Sequence, residues 1–323
     1  MKKFMYDLTI AIPSYNGKET IKKAIDSAIN QKKDGIKIQV LISDDNSSDG
    51  TKEIINKYSE YDDVKININD INPEPEYGAV SNFNTCLKKA DGKYFMILCQ
   101  DDFISNNYAT TLINKLEKND DSIFVGACIG KNEFNEIIHK SYRKSIELSG
   151  IGALKSIICG NKETKRHAWV MFATKTADLI KAGGFPKTSK AQLSDQIFLY
   201  RILLDKKLIY SNESQYYYLI HQNSYGNSDT KYLGKSFEDS MIYWNKEIAP
   251  ILKKIISNQE YDSIVKKMID GNTRLFLLRV FLYGGSLLQK IVLIVRFEKK
   301  SCILKILFDL NSYKNLFKRL KGV

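Results

Sequence analysis

Apolar residues fall in short runs that alternate with helically spaced stretches over the first half of the chain. Residues 8–12, 37–43 and 93–99 form three largely apolar runs, each ending in a polar loop. Between the first two, Ile21, Ala24, Ile25, Ala28 and Ile29 recur at steps of one, three and four, which predicts a helix over 17–31. The same pattern predicts helices over 51–58, 79–90 and 106–118, and strands over 64–68 and 122–129. Residues 70–78, with Pro73 and Pro75, read as a loop. Strands alternating with crossover helices mark a βαβ series, and so an α/β fold with a mostly parallel sheet. After residue 130 the alternation degrades. A strand over 170–174, the turn Gly183-Gly184-Phe185-Pro186, a helix over 194–205 with Ser194 as N-cap and an aromatic strand over 215–220 are predicted there. Helical patterning takes over from Tyr232, which places a domain boundary near residue 230.

Parallel strands put their C-terminal ends side by side, and open α/β sheets bind ligands in the crevice outside those ends. Three loops would converge there: Pro13-Ser14-Tyr15-Asn16, Asp44-Asp45-Asn46-Ser47-Ser48-Asp49-Gly50-Thr51 and Gln100-Asp101-Asp102. Tyr15 lies on the loop after Pro13, beyond the apolar run, where a ring can stack or hydrogen-bond. The first Asp cluster reads either as turn formers, since Asp bonds its own backbone, or as ligands. Asp101 and Asp102 either cap the following helix or hold a cation, because adjacent carboxylates repel unless a cation lies beside them. Hard oxygen ligands suit Mg²⁺ or Mn²⁺, which fills the rest of its shell with water and phosphate. A dinucleotide fingerprint is lacking: the first loop has only Gly17. His221 ends the aromatic strand and is a candidate for metal or diphosphate contact, while Asp195 by itself is an acid in the first turn of a helix.

Composition adds one feature. The formal net charge of +12 over 323 residues calls for an acidic partner. Half of that excess lies in residues 296–321, with eight basic residues against two acidic ones. In that segment Ile303, Ile306, Leu310, Tyr313, Phe317 and Leu320 make an apolar stripe at helical spacing. The segment reads as a basic amphipathic helix, either packed on the protein or lying on an anionic membrane surface without spanning it. The apolar region 275–295 is interrupted by Arg279 and Lys290, which argues against a spanning helix. Five scattered cysteines without a C-x-x-C pair fit a reducing compartment, and the start of the chain carries no signal-peptide pattern. A nucleic-acid binder would interleave basic and aromatic residues on one face, and the basic residues concentrate in the tail instead, so no nucleic-acid partner is expected.

Taken together, the motifs resemble those of family 2 glycosyltransferases, inverting enzymes of the GT-A fold. The resemblance spans roughly residues 7–225 and rests on Ile12-Pro13-Ser14-Tyr15-Asn16, on Asp44 through Thr51, on Asn84, Ala90 and Gly92 before the acidic loop, and on Gly183-Gly184-Phe185 ahead of Asp195 and Arg201. It implies a GT-A domain over 1–230 and a helical, basic C-terminal region over 231–323. It further implies a nucleotide-sugar donor held by Pro13, Tyr15, Asn16, Asp45, Asn84 and Asp101, a divalent cation on Asp102 and His221, and Asp195 as catalytic base. The acceptor would be a lipid-linked surface glycan, reached by a cytoplasmic enzyme at the inner face of the membrane. Two departures stand out: Cys99 replaces the first Asp of the fuller D-x-D-D motif, and Phe83 stands where an arginine is frequent.

Overall fold

Residues 8–14 are buried without interruption, which a strand achieves only when both faces of its sheet are covered. That strand, β1 (Tyr6–Ser14), is the centre of the first half of the molecule. The computed structural model describes residues 4–31, 35–69, 77–132, 134–140, 144–159, 171–220 and 232–283. β1 runs parallel to β2 (Ile38–Asp44) on one side and to β4 (Gly92–Ile97) on the other, and β3 (Val64–Ile68) extends the sheet beyond β2. The crossovers are α1 (Ile21–Ile29), α2 (Thr51–Asn56) and α3 (Val80–Lys89). α1 buries Ile21, Ala24, Ile25 and Ala28, the stripe seen in the sequence. Full burial of such a side chain contributes about 1.5–3 kcal/mol, so this stripe fixes which face of the helix meets the sheet.

β4 leads through the acidic loop to β5 (Phe103–Ile104), α4 (Tyr108–Lys118) and β6 (Ser122–Asn132). The second half is less regular, as its sequence implied. β7 (Ile137–Lys140) and β8 (Ile146–Leu148) are short antiparallel additions, followed by α5 (Gly150–Cys159). The strand predicted over 170–174 is β9 (Ala173–Lys175), wedged antiparallel between β4 and β6, and α6 (Thr176–Lys181) follows it directly. α7 (Ser194–Leu203) and β10 (Lys207–Ile220) complete the order β3-β2-β1-β4-β9-β6-β10-β5. The long ladders are parallel, and the antiparallel pairings are short ones beyond β4.

Two expectations need correction. Ser194 is not the N-cap of α7: Leu193, in a left-handed conformation, holds that place, and the Ser194 hydroxyl donates to the Pro186 carbonyl at 2.7 Å. The aromatic strand begins at Lys207, not at 215, because a register shift between Ser211 and Gln215 joins two segments paired with β6.

The chain divides into two compact units, residues 1–221 and 222–323, slightly ahead of the boundary expected near 230. Within the second unit, α8 (Leu233–Tyr243), a π-helical turn (Trp244–Ile248), α9 (Ala249–Ile255) and α10 (Asn258–Tyr283) follow one another. The buried Trp244 indole donates to the Tyr261 hydroxyl at 3.1 Å. Among the described residues, no helix is long and apolar enough to cross a membrane. The basic stretch 296–321 and His221 lie outside the described residues.

Candidate active site

The crevice opens where β1 parts from β4. β1 keeps its pairing with β2 as far as Ser14, but its ladder with β4 ends at Ala11, whose carbonyl accepts the Leu98 N–H at 2.8 Å. Pro13, which has no N–H to offer, sits just past that point and is buried, so it shapes the strand end. Beyond it the strand order reverses, the usual ligand position in such sheets. Tyr15 projects there with 60% of its surface exposed.

The loops after β1 and β2 are tied together by their own polar groups. Asn16, at φ 47°, donates its N–H to Ser47 Oγ at 2.8 Å, and its side-chain oxygen accepts the Ser48 N–H at 3.0 Å. Gly17 N–H donates to Thr51 Oγ1 at 2.9 Å, and Lys18 N–H to Asp49 at 3.1 Å. Asp44 accepts both the N–H and the hydroxyl of Ser47, at 2.8 and 2.6 Å. Asp49 accepts both the N–H and the hydroxyl of Thr51. Burial raises the Asp49 carboxyl, but the hydrogen bonds from Thr51 and Lys18 outweigh it and hold the group below the usual carboxylate range. Asn16, Asp44 and Asp49 are therefore frame residues. Asp45 is buried and takes a 3.1 Å hydrogen bond from Asn69. Beneath these loops Asn82 of α3 donates to the Ser43 carbonyl at 2.8 Å, while its own carbonyl and the Ser14 hydroxyl are buried without a hydrogen-bond partner.

The loop after β4 is built differently. Cys99 Sγ and carboxylate oxygens of Asp101 and Asp102 all lie within 4.8 Å of one another. Asp102 is buried and anchored to β10, accepting the Tyr216 hydroxyl at 2.8 Å and the Leu219 N–H at 3.0 Å. Burial first, and the charge of Asp101 second, push its carboxyl well above the usual range despite those two bonds. The Cys99 thiol is likewise pushed up, by desolvation and by the charges of Asp102, Asp101 and Asp195. The two carboxylates crowded at this strand end are hard oxygen donors, which fit Mg²⁺ or Mn²⁺, and the thiol beside them is a soft donor outside that set.

Asp195 comes from a distant part of the sequence. It occupies the first turn of α7, with three left-handed non-glycine residues just before it: Lys190, Ala191 and Leu193. Such conformations cost about 1–3 kcal/mol each and persist only where the surroundings enforce them. The bracing is visible. Asn84 of α3 donates to the Phe185 carbonyl at 2.9 Å and accepts the Phe185 N–H at 2.8 Å. Gly184, at φ 74°, admits this contact, since a Cβ there would lie 2.5 Å from Asn84 Oδ1. Asn84, expected at the donor, spends its carboxamide on the turn that leads to Asp195.

Three residues not singled out in the sequence contribute here: Asn82, Gln100 and Tyr216. Tyr216 had a signal, since alternation along the aromatic strand turns every second ring inward. Asn82 and Gln100 had none, because their partners lie 39 and 85 residues away.

Residues 9–176 match the family model described as "Glycosyl transferase family 2". The chain belongs to glycosyl transferase family 2. Among curated members, the chain is 31% identical over 149 residues to the GalNAc(5)-diNAcBac-PP-undecaprenol beta-1,3-glucosyltransferase of Campylobacter jejuni, covering 45% of this chain and 46% of that one. It is 26% identical over 230 residues to the poly(ribitol-phosphate) beta-glucosyltransferase of Bacillus spizizenii, covering 67% of this chain and 32% of that one. The chain thus spans 46% and 32% of the length of these two relatives. Its fold is the GT-A fold of S. aureus TarS 1-349, solved in complex with UDP-GlcNAc, with a TM-score of 0.70 at 17% identity over 90% of this chain and 80% of that one.

Proposed function

We propose that this family 2 member is a glycosyltransferase that moves a sugar from a UDP-sugar to a hydroxyl of a phosphate-bearing glycan acceptor, with inversion at the anomeric carbon. The observation that carries the reading is the crowding of the Asp101 and Asp102 carboxylates and Cys99 Sγ within 4.8 Å at the end of β4, beside the point where the strand order reverses. In this reading a base and a cation-binding pair serve one crevice at the strand-order reversal. The relatives' printed names support the substrate classes: one acts on a diphosphoundecaprenol-linked glycan, another on poly(ribitol-phosphate), and TarS binds UDP-GlcNAc.

In this reading Tyr15 and Asp45 hold the base, and Asp101 the ribose. Asp102 holds Mg²⁺ or Mn²⁺, with His221 as a further metal or diphosphate contact. A cation held by Asp102 would supply charge neutralisation for the departing diphosphate. Asp195 takes the proton of the acceptor hydroxyl. The freed oxygen attacks the anomeric carbon from the face opposite the diphosphate, and the bond to the diphosphate oxygen breaks as the new glycosidic bond forms. The basic stretch 296–321 holds the enzyme at the anionic inner face of the membrane, near a lipid-linked acceptor.

A panel of UDP-, GDP-, dTDP- and CMP-sugars, scored for cation-dependent nucleotide release, tests the donor. Release from UDP-sugars alone is expected, with the first-formed sugar anomer inverted by NMR. Release from a different nucleotide class, or a retained anomer, contradicts the reading.

A further inference from the structure

Gln100 lies between the two halves of the site and joins them. Its side-chain oxygen accepts the Tyr15 backbone N–H at 2.9 Å, and its side-chain nitrogen donates to the Tyr15 backbone carbonyl at 3.0 Å. The carboxamide thus pairs with both backbone polar groups of one residue, as a neighbouring strand would. This happens just where β1 and β4 have ceased to pair, so the contact replaces the missing ladder with a single side chain.

The partner loop has room for it because of one residue. Gly17 is buried, and a Cβ there would lie 2.4 Å from Gln100 Oε1 and 2.6 Å from its Cδ. Gly17 does not have a positive φ, so its lack of a side chain serves this close approach. Its N–H is meanwhile held by Thr51, which fixes the loop from the other side. Tyr15 itself is exposed, just past the end of β1.

We propose that Gln100 is a positioning residue: a latch that sets the Tyr15 ring for the donor's base and couples that loop to the acidic loop of the cation. The inference rests on the reading that Tyr15 meets the nucleotide, and it goes beyond that reading by naming what orders the loop. Gln100 neighbours Cys99 and Asp101 in sequence, so movement of the acidic loop reaches Tyr15 through one carboxamide. Nucleotide and cation therefore bind cooperatively.

Three variants test the latch: Gln100→Ala, Gly17→Ala and the pair together. In ligand-free protein, hydrogen exchange of the Tyr15 amide should speed up in each single variant, because its acceptor is removed or displaced. With Mn²⁺ present, KM for the UDP-sugar should rise about tenfold in either single variant, the effect of losing two hydrogen bonds. The kcat should stay within about twofold, since the bonds are made before chemistry begins. The double variant should be no worse than either single one, because both changes break one contact. Gln100→Glu, which keeps the acceptor but loses the donor, should fall between wild type and Gln100→Ala.

Wild-type exchange at Tyr15 in Gln100→Ala, or additive effects in the double variant, overturns the latch. A fall in kcat at unchanged KM overturns it too. A wild-type protein that binds no uridine nucleotide defeats the donor reading instead, and the exchange result still decides the latch.

Discussion

The loops after β1 and β2 and the loop after β4 are both rich in acidic or amide side chains, yet they use them in opposite ways. In the first pair, Asp44, Asp49 and Asn16 each satisfy backbone N–H groups within a few residues or across to the partner loop. These groups serve as frame, and the Asp49 carboxyl sits below the usual range because donors surround it. In the loop after β4, Asp102 is buried beside Asp101, and its carboxyl is pushed up. One region uses acids to hold its own shape, while the other holds acids in an arrangement that favours an added positive charge. Asp102 accepts two hydrogen bonds as well, so what tells the two kinds of aspartate apart is burial beside a second carboxylate.

The largest effects should follow changes on the charged side. Asp195→Asn should lower transfer about 10²- to 10⁴-fold, the usual contribution of a positioned base. Asp102→Asn should abolish cation-dependent turnover, and near-wild-type rates in excess chelator would remove the distinction between the two regions. Next comes the bracing of α7. Asn84→Ala leaves the N–H and carbonyl of Phe185 without their partner, and should cost about 2 kcal/mol of stability in chemical denaturation. A smaller effect is expected in the frame. Asp49→Ala removes acceptors from Thr51 and Lys18 and should cost about 1 kcal/mol, with turnover per folded molecule preserved. Loss of turnover without loss of stability would instead make Asp49 a ligand.

How much of this was legible in the sequence follows the same division. β1 to α4 obeyed local rules: apolar runs became buried strands, and the α1 stripe became its buried face. The second half escaped because its decisive features are not local. Lys190, Ala191 and Leu193 adopt left-handed conformations without being glycine, so no residue preference marks them. β10 carries a register shift that only its pairing with β6 defines. Asp195 was placed by resemblance, since by itself it is an acid in the first turn of a helix. Asn84 was expected at the donor because motif position alone does not say where a carboxamide points.

The smallest effect belongs outside both loops, in the basic stretch 296–321. Lys321→Gln should weaken partition to anionic vesicles by less than about 1 kcal/mol at low salt, and by nothing measurable at high salt. Equal partition of wild type to neutral and anionic vesicles would make that stretch a solvated face.

In the proposed reaction, holding the cation and taking the acceptor proton are separate duties of one site. Calorimetric titration of UDP with Mn²⁺ into wild type, Asp195→Asn and Asp102→Asn tests it most directly, read beside turnover of the same samples. Wild-type affinity without transfer is expected for Asp195→Asn, and loss of the Mn²⁺-dependent part of the affinity for Asp102→Asn. Equal loss of affinity in both variants, or Mn²⁺-dependent binding that survives in Asp102→Asn, would contradict it.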